Sequence, residues 1–292
     1  MEEVSAQTAA PKEELANLTC SDLLEKLYLP LPEGYIILKD KNAVIFIHCS
    51  SRSYGNFLLR QNQYCYEAIK DFLGIQPITQ CLMEAKLFNE ELSTSELRSI
   101  YIGEVGAAGC LMFNSAWVGE KEQCGENSEE SKENLEGTDS CAPHEPTHVF
   151  VSGTLLHRNP PWLNEGLAEY VSIQLLSQYH ILECFADSFR YGVHNDVLNY
   201  TKEGKYVPLD IEREEHRQQG TEHDAYLTGA CLWDHIDATY GHETFKAIMQ
   251  DVNASRFACT SFIDDILQHH IGESGIDDLK NKFGDDSVEV FE

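Results

Sequence analysis

The sequence predicts an α+β fold: a small mixed sheet with an antiparallel edge strand, packed on the helix that carries His144, followed by a mostly helical C-terminal half. Three observations predict it. Two apolar runs between Tyr35 and Ile47 flank Asp40-Lys41-Asn42, a strand–turn–strand pattern. After Cys141 the apolar residues recur at helical spacing almost to the end of the chain. At the start of this second half sit two motifs that demand neighbouring helices. They are His144-Glu145-Pro146-Thr147-His148 and Trp162-Leu163-Asn164-Glu165-Gly166-Leu167-Ala168-Glu169-Tyr170.

Taken in order, residues 1–18 carry four glutamates and no apolar run, and read as a flexible tail. One domain is expected over residues 19–288. Cys65, Ala68, Ile69 and Phe72 form a helical stripe within about 55–73, which Gly74 stops. A strand is expected near 78–82, and another over Gly106–Asn114 ending in Leu111-Met112-Phe113. Residues 120–139 hold eight acidic residues and two lysines, with little apolar besides Cys124 and Leu135. Such a stretch cannot bury enough surface to offset its ordering entropy. It predicts a disordered acidic insertion over 119–140, inside the domain. Helices then follow at about 142–157, 161–179, 223–240, 242–252, 258–270 and 274–283.

The 292 residues carry a formal charge of −28. Nucleic acid needs a basic face, and anionic membrane surfaces repel a chain so acidic. No stretch approaches ~18 uninterrupted apolar residues, and no leader pattern opens the chain. A soluble, cytoplasmic protein is expected. The ten cysteines are then expected as free thiols, several of them small hydrophobes in apolar segments.

The first motif carries chemistry. Residues i and i+4 share a helix face, so His144 and His148 point the same way. Glu145 sits about 100° around, close enough to reach a water on a metal without being a ligand. Roughly 0.04 accidental matches to HExxH are expected in a chain with this many histidines, so the motif alone is moderately specific. The second motif adds weight. Pro160-Pro161 suit a helix start, and Glu165 and Glu169 then share one face, offering a third candidate ligand. Pro146 imposes a condition: proline is tolerated only in the first helical turn, so the helix must begin near Ala142 or Pro143.

HEPTH followed by PPWLNEGLAEY resembles the gluzincin metallopeptidases, the peptidase-MA-like group that includes thermolysin and related aminopeptidases. The resemblance implies a zincin-like fold and a Zn2+ cofactor. It implies His144, His148 and Glu165 as ligands, Glu145 as general base, and Glu169 as a carboxylate buttressing a ligand histidine. Tyr226-Leu227-Thr228-Gly229-Ala230 is similar to the YxxGA segment of the aminopeptidase-type members. That implies Tyr226 as oxyanion donor, with His223 one turn earlier as the substitute; such a donor is worth about 3 kcal/mol in rate. The implied activity is zinc-dependent peptide hydrolysis, with Glu145 activating a water on the metal and a peptide or protein as substrate.

Other readings stand beside it. A catalytically inert zincin-fold binding or scaffold protein is the main alternative, and a metallohydrolase of non-peptide bonds is another. A structural zinc on Cys141, His144 and His148 leaves Glu145 and Glu165 unexplained. His48, His180, His242 and the pair His269-His270 follow no ligand spacing and read as surface or helical residues. No serine-nucleophile elbow is present.

Overall fold

The structure is a computed structural model that describes residues 35–40, 43–49, 52–77, 82–86, 143–151, 153–157, 161–178, 206–209, 213–255 and 263–284. The expected tail at 1–18, the strand over 106–114 and the acidic insertion at 119–140 lie outside the described residues. The chain divides into two compact units. One comprises Met1–Arg60 and Ile78–Leu135, the other Gln61–Pro77 and Glu136–Glu292.

The first unit contains a three-stranded mixed sheet of order β1-β2-β3. Strand β1 (Tyr35–Lys39) pairs antiparallel with β2 (Ala43–His48), from Tyr35 opposite His48 to Lys39 opposite Val44. This is the hairpin that the apolar runs around Asp40 imply. Strand β3 (Leu82–Lys86) pairs parallel with β2. It begins where the sequence places the end of a strand. Parallel neighbours need a long crossover, and helix α1 (Arg52–Leu73) lies within it.

The other elements among the described residues are helical. In the second unit come α2 (His144–Val151), a 3-10 turn at Leu155–His157, α3 (Pro161–Gln178) and α4 (Arg213–Gln219). Helices α5 (Glu222–Tyr240), α6 (His242–Ala254) and α7 (Ile263–Phe283) follow. Helix α7 is broken at Gly272, whose φ of 71° and ψ of 174° only glycine adopts readily. That break matches the two separate helices expected there. The helical C-terminal half is therefore as the periodicity implies, with α4 as an addition.

The core of this unit gathers around α3. Trp162, Leu167, Ala168 and Val171 are fully buried, as are Trp233 and Ile236 of α5 and Phe245, Ile248 and Met249 of α6. The α1 stripe joins them: Cys65, Ile69, Phe72 and Leu73 are buried, and Phe72 packs against both Tyr170 and Phe245. Helix α3 is buried on nearly every side over its first three turns, with Glu165 and Glu169 half-buried, as befits a central helix. Its closest neighbour is α5. A Cβ on Gly166 would meet the Gly229 backbone at 2.3 Å, and one on Gly229 would meet Trp162 O at 2.4 Å. Only two glycines let the backbones approach this far. The Trp233 indole donates to Leu163 O at 2.9 Å and fixes the same register.

Cys65 and Cys231 are buried thiols outside any disulfide, as expected. Cys49 is disulfide-bonded, so free thiols do not describe every cysteine. Among the described residues no helix is long and apolar enough to cross a membrane.

Candidate metal centre

Helix α2 starts where Pro146 requires. His144 is its first residue and Pro146 its third, within the turn whose N–H groups have no intrahelical acceptor in any case. The Thr147 N–H donates to Pro143 O at 3.2 Å, and the Thr147 hydroxyl donates to the same carbonyl at 2.7 Å. Proline thus begins this helix without breaking it. His144 and His148 stand one turn apart with ring centroids separated by 4.9 Å. Buried Val149, Phe150 and Val151 anchor the far end of α2, with Phe150 packed on Tyr66.

Helix α3 supplies the rest of the set. His144 Nε2 and His148 Nε2 lie 3.2 Å apart, and each lies 3.3 Å from Glu165 Oε2. The far sides of both rings are also engaged. His148 Nδ1 donates to Asn164 Oδ1 at 3.0 Å, and His144 Nδ1 lies 3.3 Å from Glu169 Oε1. A proton on each Nδ1 leaves both Nε2 lone pairs aimed at the same point as a carboxylate oxygen. Three acceptors so close repel one another unless a cation lies among them. When the Nε2 atoms carry protons in place of a metal, they donate to Glu165 instead; those hydrogen bonds outweigh the upward push of burial and hold the carboxyl well below the usual carboxylate range. Glu165 is therefore the anionic member of the set.

These residues fit a metal ion. Tetrahedral ligands ~2.0–2.1 Å from a common centre stand ~3.3–3.4 Å apart, and the three edges here measure 3.2, 3.3 and 3.3 Å. The three side chains are 12%, 8% and 15% exposed, so the set is largely shielded from bulk solvent. His144, His148 and Glu165 can thus hold a metal, each through one atom.

No family model, curated protein or solved structure matches this chain. The chemistry of the site rests on its own geometry.

Around this set, the structure sorts the remaining candidates. Tyr226 is half-buried on α5, its ring nearly parallel to that of His144 at 19°, with centroids 6.4 Å apart. It also packs on Trp162, with centroids 5.8 Å apart. His223, in the first turn of α5, is exposed. Of the two expected donors, Tyr226 is the one whose ring stacks beside a ligand histidine, His144. Glu145 follows His144 in the first turn of α2, and its carboxylate lies outside the described side chains.

Two residues with a part in the site escape any spacing argument. Asn164 orients His148, a task visible only in its position directly before Glu165. His216 is fully buried behind Trp162, edge-on with centroids 4.7 Å apart. It lies 2.7 Å through Nδ1 from the Thr221 hydroxyl and donates from Nε2 to Pro208 O at 3.1 Å. With both nitrogens occupied, it serves as a wedge that fixes Trp162, which in turn flanks Tyr226.

Proposed function

We propose that this protein is a zinc metallopeptidase on a zincin-like fold, hydrolysing amide bonds at the His144–His148–Glu165 set. The observation that carries the proposal is the near-equilateral triangle of two Nε2 atoms and one carboxylate oxygen, with both Nδ1 atoms restrained. Two imidazoles and a carboxylate are a donor set typical of catalytic zinc, which keeps a fourth position open. A zinc ion held there would supply Lewis acidity to a scissile carbonyl and make water acidic enough to ionise near neutral pH.

The chain's own residues divide the remaining work. Glu145, next to the first ligand, takes a proton from the attacking water and later delivers it to the leaving amine. Tyr226 donates its hydroxyl to the oxyanion that develops on the carbonyl oxygen. Asn164 and Glu169 keep the two imidazoles in the tautomer that binds metal. The substrate is a peptide or protein segment. The inert-scaffold alternative has less support, because a merely structural metal has no use for Glu145 beside an open coordination position.

Incubating the zinc-loaded protein with a mixed peptide pool, with products read by mass spectrometry, tests the assignment. Cleavage should stop when a chelator removes the metal and return when zinc is restored. Cleavage indifferent to the chelator, or none at all from the zinc-loaded protein, would contradict it.

A further inference from the structure

A second cluster of metal-ligating side chains lies where α6 meets α7 and shares no residue with the triad. Asp251 sits in the last turn of α6, and His269 and His270 sit just before the break of α7 at Gly272. His270 Nε2 lies 2.8 Å from Asp251 Oδ2. The His269 and His270 rings meet edge-on at 76°, with centroids 4.9 Å apart. One ligand atom from each of the three residues lies within 4.8 Å of the other two.

We propose that Asp251, His269 and His270 form a second, weaker site for a borderline divalent transition metal, of which zinc is the probe of choice. Consecutive helical residues diverge by about 100°, so neighbouring imidazoles do not ordinarily converge on one partner. Here a ligand atom of each lies within 4.8 Å of an Asp251 oxygen, next to a backbone break. Two imidazoles and a carboxylate favour zinc, nickel or copper over magnesium or calcium, which prefer oxygen alone. The helical segment ending at Gly272 directs its free carbonyls toward this end, and a helix C-terminus attracts cations. The strongly acidic chain raises the local cation concentration further.

The two sites differ in preorganisation. The triad stands at ligand spacing already, with both imidazoles oriented from behind. In the surface set His270 Nε2 and Asp251 Oδ2 stand in direct contact at 2.8 Å and must part to the ~3.3 Å between tetrahedral ligands, with side chains of which His269 is exposed and that of Asp251 is 48% exposed. That ordering cost makes this site the weaker and the later to fill. Once filled, it ties the end of α6 to α7, so this helical pair tightens only when free metal exceeds what the triad takes up.

The test is a calorimetric zinc titration of the full chain after chelator stripping. Wild type should show a tight equivalent followed by a weaker one. His269→Ala, at an exposed position, should weaken the second equivalent at least tenfold and leave the first unchanged. Its metal-free melting temperature should equal that of wild type, which shows the fold intact. Glu165→Gln should weaken the first equivalent and spare the second. Asp251→Asn should weaken the second, as His269→Ala does. A single equivalent in wild type would mean an ion pair and nothing more, and would overturn the proposal. A second equivalent that persists in both His269→Ala and Asp251→Asn would mean adventitious binding to an acidic surface, and would overturn it equally.

Discussion

Asn164 and Glu169 decide how sharply the two imidazoles are aimed, although neither is among the three ligand atoms. Removing such a partner from behind a metal-bound histidine costs roughly 10–100-fold in metal affinity. Asn164→Ala should therefore weaken zinc binding by about that factor, measured by competition with a chromophoric chelator, with the helical content unchanged. Unaltered affinity would mean that the Asn164 contact with His148 does not orient the ring. At this scale the sequence reveals the ligands and hides their supports. His144 and His148 are legible because four residues bring them to one helix face, and that is a local fact. Asn164 meets His148 only after α2 and α3 pack together, and Asn-Glu at the start of a helix has many other uses.

Among the elements, the crossing of α3 and α5 governs the site most directly. It sets the depth at which Tyr226 lies beside His144, because Gly229 and Tyr226 share a turn of α5. A methyl group at position 229 would fall 2.4 Å from Trp162 O and 3.0 Å from Gly166 Cα. Overpacking of this kind costs about 1–3 kcal/mol. Gly229→Ala should lower the urea midpoint accordingly, and an unchanged midpoint would show that the helices can part freely. The YxxGA pattern is visible in the chain, but the reason for its glycine appears only with α3 in place. Helix α4 was not legible for a related reason. Arg213-Glu214-Glu215-His216-Arg217-Gln218-Gln219 has no apolar stripe, and among its described side chains the one that is buried is a histidine docked against Trp162, Thr221 and Pro208. The start of α2 was legible, since Pro146 admits hardly any other first turn. Strand β3 falls later than the apolar run suggests, because pairing with β2 sets its register, not its own composition.

The whole molecule adds a pH dependence that no single motif announces. Tyr170, adjacent to Glu169, is buried and donates its hydroxyl to Asp237, which also contacts His242 Nδ1 at 3.0 Å. Burial first, and the hydrogen bond to Asp237 second, push the Tyr170 hydroxyl well above the ordinary tyrosine range. The folded chain then keeps a proton that the unfolded chain releases above about pH 10. Stability is fully present below that pH and declines as pH rises beyond it, since the native state binds more protons. Urea unfolding from pH 9 to 11 should show this loss, and Tyr170→Phe should flatten it; an equal slope in both proteins would assign the loss elsewhere. Zinc content and peptide hydrolysis of the purified protein, measured beside Glu145→Gln, decide whether a catalytic metal sits among His144, His148 and Glu165. Both proteins should retain about one zinc tightly per chain, with hydrolysis in the wild type alone. A wild-type protein that retains no zinc, or a Glu145→Gln variant that cleaves as fast as the wild type, would contradict a catalytic metal there.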